Sequence, residues 1–481
     1  MQDPQAAGSA SDTTGEQALA FDRRATSRLL RKIDLRLIPL LALLYLLSFL
    51  DRTNIGNARL AGLEADLHLR GLDYNNALAI FFPFYVAAEL PSNLVMKITR
   101  PSLWIPTIMV TWAGMCVLMG LVKSYGGLLA IRSALGFAEG GLFPGVTFYI
   151  TMWYRRHECG LRIALFFSAS TAAGAFGGLL APAIMQMNGT AHLASWRWIF
   201  ILEGLATFLI GCLAFFAMND YPDRANFLTK AEKDEVRRRL QEDSGGLGDE
   251  FSFRYVADAL ADWRIWANCF IALAIFCSTY SISLFLPTIV KHLGYTNTIA
   301  QLMTVPPYAA ACICCIGFGF TADRHGQRGI YIIICALIAI VGFCMLLGST
   351  DSRIKYAGTF FAASGIYPNV PQCVAWNGNN IGGSTKRSAG MAVQIAIGNL
   401  GGVMSAYLFL SKDAPDFKRG HWVLLGLNVL AGLLALAMTV YFRFENARRD
   451  RRFKVPGDFT TEEKALEKSK GDQATFFRYT I

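Results

Sequence analysis

Charge is scarce in this sequence. Only 17% of its 481 residues are Asp, Glu, Lys or Arg, and there are six histidines; soluble domains usually carry ~25% charge. His/Cys clusters at metal-binding spacing, a nucleophile elbow and a phosphate loop are all missing, so the residues do not suggest an enzyme or an ATP-driven motor. All six histidines fall in loops or at the ends of apolar runs. What is abundant is apolar: 53% of residues are hydrophobic and a further 44 are glycine, with a mean hydropathy of +0.36. That composition excludes a disordered chain and an ordinary soluble enzyme. The lipid bilayer is the expected partner, and the net charge of +10 calls for no nucleic acid.

Crossing ~30 Å of hydrocarbon takes about 20 apolar residues in a helix. Twelve such stretches are centred on 37–58, 76–97, 102–122, 127–153, 161–187, 195–218, 265–290, 299–321, 329–348, 355–378, 388–410 and 421–442. Backbone groups in lipid must bond within their own segment or a closed barrel, and unbroken apolar runs lack a barrel's alternation. The expected fold is therefore all-α. With both termini placed in the cytoplasm, 33 of the 45 basic residues lie inside, nine outside and three within spans. This bias rests on Arg23, Arg24, Arg28, Arg31 and Lys32, on the central loop, and on Arg448 to Lys454. The sequon Asn188-Gly189-Thr190 then lies outside. The 11 cysteines, including Cys312, Cys314 and Cys315, read as small buried hydrophobes.

No secretory signal peptide is read, and residues up to about 26 are expected to form a disordered cytoplasmic tail. The one long polar interruption, 219–264, divides the spans six and six. Capping boxes at Thr229/Glu232 and Thr460/Glu463 each predict a solvated helix, the first stopped by Gly245 and Gly246. The resulting division is a 1–35 tail, a 36–218 bundle, a 219–264 loop, a 265–443 bundle and a 444–481 tail.

The halves resemble each other at an offset of 223–225 residues: Phe143-Pro144 with Tyr367-Pro368, Trp153 with Trp376, Arg162 with Arg387, and Gly177-Gly178 with Gly401-Gly402. Two pseudo-symmetric six-helix bundles form a transporter architecture, with the substrate at midplane between halves that rock. The glycines of span five (174, 177, 178) and span eleven (398, 401, 402) read first as close packing, which a gating surface also requires.

Ionisable groups inside spans cost about 2.5–3.5 kcal/mol each and are expected to face the bundle interior. They are Asp51, Arg52, Glu89, Arg132, Glu139, Arg197 and Glu203, all in the first half. At ~1.5 Å per residue, Asp51 and Arg52 lie ~22 Å from the inner edge, Arg132 reaches a similar level, and Glu139 sits two turns below it. Two guanidinium groups suit an anion, since their forks bind two oxygens and keep their charge. The carboxylates Asp51, Glu139 and Glu89 suit a proton: desolvation favours a carboxyl's neutral form, a nearby guanidinium its charged form. Structural ion pairing is the alternative. Trp196-Arg197-Trp198 looks like an interfacial anchor. In the second half, Tyr367, Gln372, Trp376, Asn377, Asn379, Asn380, Gln394 and Asn399 either bridge helices or line the cavity. For Tyr280 and Tyr308 core packing is expected.

Gly319–Arg328 (GFTADRHGQR) resembles the cytoplasmic loop signature of the major facilitator superfamily, in which an Asp and basic residues pair across helix ends. The resemblance implies gating roles for Asp323, Arg324 and Arg328, with Arg162 and Arg387 at the matching helix starts. The loop 96–100 lacks the Asp. Arg132-x-x-x-Gly136-x-x-Glu139-Gly140 resembles the fourth-span motif. LSFLDRTNIGN (47–57), ELPSN (89–93), WRWIFILEG (196–204) and WNGNNIGGSTKR (376–387) look like the anion:cation symporter family, in its fungal allantoate/nicotinate permease branch. That similarity implies proton-coupled uptake of a small organic anion: a vitamin, a ureide or an aromatic carboxylate. Asp51, Arg52, Arg132 and Glu139 match, residue by residue, the pairs used by sugar-acid symporters of that family. Asn54, within the first-span stretch, joins the expected substrate contacts. The fifth-span antiporter signature is not reproduced at Ala181-Pro182. The expectation is a monomeric plasma-membrane symporter with no cofactor, driven by the proton gradient. A facilitator or exporter of an organic acid, and a non-transporting sensor, are the alternatives.

Overall fold

In a computed structural model the protein is described at residues 23–244, 253–454, 459–460, 463 and 467–481. The first half comprises α1 (Arg23–Leu60), α2 (Leu63–Asp66), α3 (Asp73–Ala79), α4 (Phe81–Ile98), α5 (Pro101–Met119), α6 (Tyr125–Glu139), α7 (Leu142–Thr151), α8 (Arg156–Met185) and α9 (Ser195–Ala217). Two surface helices follow, α10 (Lys230–Ser244) and α11 (Phe253–Ala261). The second half is α12 (Trp263–His292), α13 (Asn297–Leu302), α14 (Val305–His325), α15 (Gly329–Gly348), α16 (Ser352–Asn379), α17 (Ser384–Ala406) and α18 (Lys418–Arg452). Among the described residues every regular element is helical.

Nine helical stretches among the described residues are long and apolar enough to cross a membrane, with α13–α14 counted as one. The other three expected spans are broken or polar. The second divides into α3 and α4 at Ile80, and the fourth into α6 and α7 at Gly140 and Gly141. The tenth, α16, is continuous but carries Asn369, Gln372 and Asn377. Helix ends follow local chemistry. Pro101 opens α5 at a position where its missing N–H costs nothing. Ser124, Asp262 and Asp351 cap α6, α12 and α16 by accepting backbone N–H bonds. Gly326 ends α14 at φ +64°, in left-handed backbone that glycine tolerates. α18 runs on to Arg452, past the expected end near 442, supported by the Glu445–Arg449 pair one turn apart (3.0 Å).

Within the first half α1 packs on α8 and α9, α5 on α9, and α4 on α6; within the second, α12 packs on α17 and α18, and α15 on α16 and α18. The halves meet through α1–α12, α8–α14, α8–α16 and α4–α17. Glycines make that seam close. A Cβ on Gly178 would stand 2.6 Å from the Gln301 carbonyl, one on Gly174 2.6 Å from the Tyr308 ring, and one on Gly402 inside the Phe82 ring. Those three close packings span the two halves.

One face carries the start of α1, α10, α11 and residues 467–481; it is called the tail face here. Both capping boxes form, Thr229 with Glu232 and Thr460 with Glu463, each with reciprocal bonds. Residues 1–22, most of the expected N-terminal tail, and Gly245 and Gly246 lie outside the described residues. α10 is tied to the first half by Lys32–Glu232 (2.7 Å), Arg155–Glu242 (2.6 Å) and Arg239–Glu158. Bonds join the halves at both faces. At the tail face the Leu161 N–H donates to Asp323 (2.7 Å). At the opposite face Asn75 donates to the Ala406 carbonyl (2.6 Å) and Tyr407 to Asn76 (2.8 Å).

Candidate functional site

Midway along α1 the helix turns two adjacent charges in different directions, since successive residues lie ~100° apart. Asp51 points into the first half, accepting from Trp112 Nε1 (3.1 Å) on α5 and Thr207 Oγ1 (3.0 Å) on α9. Arg52 points across the seam. Its Nη2 pairs with Glu139 Oε1 at 2.6 Å and its Nη1 donates to the Tyr280 hydroxyl at 2.9 Å. Tyr280 donates to Asn399 Oδ1 (2.7 Å), and Asn399 Nδ2 donates to Glu89. Ser48, one turn before Arg52, donates to the same Glu139 oxygen. A hydrogen-bonded chain therefore runs Ser48–Glu139–Arg52–Tyr280–Asn399–Glu89, from α1 and α6 through α12 and α17 back to α4.

Around it lies a small central cavity of about 10 Å3, lined by Arg52, Thr279, Tyr280, Val370 and Asn399 together with the rings of Tyr45, Phe49, Tyr85, Phe143, Phe167 and Phe276. That volume holds roughly one water, and bonds between the halves lie at both faces. The Arg52 guanidinium lies 4.7 Å from the Tyr85 ring centre and 5.1 Å from that of Phe81, placements that favour a cation. Valences remain open: Arg52 Nε, Glu139 Oε2 and Glu89 Oε2 are buried without a hydrogen-bond partner. In a low-dielectric space such groups are costly unless a ligand or proton meets them.

Arg132 is buried but stands apart. Its Nε donates to the Ala77 carbonyl (3.1 Å), and its guanidinium lies 5.0 Å from the Phe81 ring centre, the same ring that Arg52 touches. Among the other expected substrate residues, Asn399 reaches the cavity. Asn54 turns into the first half and bonds Glu203. Tyr367 bonds Ser283 (2.6 Å) and meets Tyr308 edge-on. Asn377 and Gln394 bond each other (3.0 Å) between α16 and α17. Gln372 accepts from Arg328 (3.0 Å), while Trp376 and Asn380 both donate to the Thr480 carbonyl, all toward the tail face.

Of the gating set, Asp323 pairs with Arg328 and accepts from Leu161; Arg324 is exposed. Arg162 forks onto Asp34 (2.7 and 3.0 Å) within the first half. Arg387 is half-buried at the start of α17. Arg197 ties Asp66 to the carbonyls of Gly120 and Val122, as a helix-end anchor would.

The residues that sequence reading undervalued are Tyr280, expected to be core packing, and Ser48. Ser48 sits four residues before Arg52, on the same helix face; that spacing was the available signal. Tyr280 had none, because its partners lie 228 and 119 residues away. Among the described residues no group of three His, Cys, Asp or Glu side chains could hold a metal ion.

A bundle of apolar helices split into two halves around a small, charged centre is the structure of a membrane transporter. Residues 41–406 match the family described as Major Facilitator Superfamily, and the chain belongs to it. Among its relatives, "MFS transporter prlL" of Fungal sp. (strain NRRL 50135) is 34% identical over 88% of each chain. The "High-affinity nicotinic acid transporter" of Saccharomyces cerevisiae is 32% identical over 88% of this chain and 79% of its own length. Among solved structures, the proton:xylose symporter XylE bound to 6-bromo-6-deoxy-D-glucose superposes with a TM-score of 0.65, covering 86% of this chain and 96% of that one. At 16% identity that likeness concerns the fold alone.

Proposed function

We propose that the protein is a proton-coupled symporter that imports a small organic anion, an aromatic monocarboxylate such as nicotinate fitting best, by alternating access. The observation that carries this reading is Arg52: one guanidinium with an open Nε, set in a cavity walled mostly by aromatic rings. In a state opened wider than this one-water cavity, a carboxylate would bond Nε and displace Glu139 from Nη2 to take the fork, and a planar ring would stack on the aromatic walls. The nicotinic acid transporter among the relatives supports the substrate class, and the chain's place in the anion:cation symporter branch is part of the same proposal.

Proton coupling follows from charge balance. Among the described residues of the first half's spans, Asp51, Glu89, Glu139 and Glu203 are buried against two buried guanidiniums, Arg52 and Arg132. An entering anion adds to that imbalance, and a proton on Glu139 or Glu89 relieves it. The tail face is taken as cytoplasmic, the membrane as the plasma membrane, and the working unit as a monomer.

The test is uptake of radiolabelled nicotinate and a panel of small carboxylates by cells expressing the protein, at acidic and neutral external pH. Accumulation should be faster at acidic pH and collapse with a protonophore. If no carboxylate in the panel accumulates in a pH-dependent way, the reading fails.

A further inference from the structure

The tail face holds a feature that transport of an anion does not require. Residues 472–481 thread over the end of the second half and bond four of its helices and the residue that precedes a fifth. Asp472, 2% exposed, accepts from Lys386 (2.7 Å) on α17 and pairs with Arg264 on α12. Arg449 on α18 gives Nη1 to the carbonyls of Asp472 (3.0 Å), Ala474 (3.3 Å) and Phe477 (3.0 Å), and Nη2 to the Tyr479 hydroxyl (3.1 Å). Tyr479 stacks on Phe442 at 4.8 Å, and Asn446 bonds both its N–H and its carbonyl. Thr480 exchanges bonds with Asn380 in both directions and receives Trp376 Nε1 (2.9 Å) on α16. The last bond reaches the gate: the Ile481 carbonyl accepts the Arg328 N–H at 2.7 Å, immediately before α15.

Arg328 is the link. Its side chain, 3% exposed, pairs with Asp323 and bonds Gln372 (3.0 Å). Asp323 in turn receives the Leu161 N–H of the opposite half. The Arg328 guanidinium also lies so close to Gly160 that a Cβ there would overlap it. The route tail–Arg328–Asp323–Leu161 therefore joins a segment seated wholly on the second half to a bond that must break when the tail face opens.

We infer that residues 472–481 act as a strut: docked, they hold Arg328 and Asp323 in the geometry that closes the tail face; released, they shift the protein toward the state open on that face. The strut biases the gate through these positioning residues without touching substrate. It rests on the alternating access proposed above, but not on the identity of the substrate or on the proton.

The structure supplies a reporter. Cys315 on α14 is fully buried and donates to the Ala164 carbonyl of α8 across the seam (3.6 Å). In the full chain with the other cysteines replaced, its labelling by an impermeant maleimide from the tail side of inverted vesicles reads opening. Two variants release the strut. Removing residues 472–481 deletes it. Gly382→Ala leaves every bonding residue in place but drives a Cβ into the Asp472 and Gly471 backbone. Labelling should rise at least about fivefold in both, the low end of typical coupling between sites, and Asp323→Asn should raise it without a further gain from tail removal. Gly317→Ala, whose Cβ would meet nothing within 4 Å, is the control for an effect of substitution alone. Size-exclusion elution identifies any variant that has not folded, and the other variant then decides. Unchanged Cys315 labelling in a folded variant overturns the strut. Because no substrate is used, this outcome is distinct from failure of the anion reading.

Discussion

Arg52 and Tyr280 stand 2.9 Å apart across the seam between the two halves, although 228 residues separate them in the chain. The contact joins the charged half, which has Glu139 and Glu89, to the neutral half, which has Asn399. Under the proposed alternating access, rocking of one half on the other would stretch it, and the pair would couple the occupant of the cavity to the motion that admits it.

Replacing Tyr280 with Phe keeps the ring and deletes the hydroxyl. It leaves Arg52 Nη1 and Asn399 Oδ1 buried without that partner, a cost of about 1–3 kcal/mol. Transport rates should fall roughly tenfold or more with expression unchanged. Initial uptake rates of wild type and Tyr280→Phe measure it, and equal rates would remove Tyr280 from the coupling.

Arg52→Lys should raise the substrate KM by ~10-fold or more, because an ammonium forms no bidentate fork. Arg132→Lys should act differently, since the Phe81 ring stands beside both guanidiniums and the Ala77 carbonyl holds Arg132. Its effect is expected on thermal stability more than on KM. A KM shift as large in Arg132→Lys as in Arg52→Lys would place both arginines on the anion.

Glu139→Gln removes a carboxylate while keeping the shape that Ser48 and Arg52 bond. Uphill, pH-driven accumulation should disappear while exchange of preloaded substrate persists. Uphill uptake at the wild-type level would move the proton to Glu89, which Glu89→Gln then tests in the same assay.

Gly402→Ala drives a methyl into the Phe82 ring where α17 meets α4. Overpacking of this kind costs about 1–3 kcal/mol, and here it falls on the state in which the seam is closed. A drop in melting temperature together with slowed exchange is expected; an unchanged melting temperature would mean that the seam is looser than the contact implies.

The Asp262 contacts with Arg264 and Lys386, beside the seat of residues 472–481, should be insensitive to pH across the range in which transport responds. Burial alone would raise Asp262, but hydrogen bonds and charge from Arg264 and Lys386 outweigh it and hold its carboxyl at about 2. A depressed carboxyl contributes stability that is present above its unfolded value and is lost only as pH falls through about 2. The ratio of Cys315 labelling in the chain lacking residues 472–481 to that in the full chain should thus stay flat between neutral and mildly acidic pH, and a steep change in that ratio would implicate other groups in the strut.

Much of this was legible in the chain itself. Lipid demands long apolar helices whose backbones bond internally, so composition and run length were enough to indicate an all-α membrane fold. The repeat of Gly177-Gly178 at Gly401-Gly402 pointed to two related halves, and the cost of burying charge marked Arg52, Glu89 and Glu139 as inward-facing. Which neighbour each group would meet was beyond reach. Asp51 and Arg52 are adjacent in sequence yet face different compartments, because a helix turns ~100° between them and only packing decides which side each side points to. Tyr280, Asn399 and the seat of residues 472–481 depend on helices brought together from hundreds of residues apart. Periodicity and charge report a residue's own burial, whereas partners across a seam are set by how the two bundles close on each other.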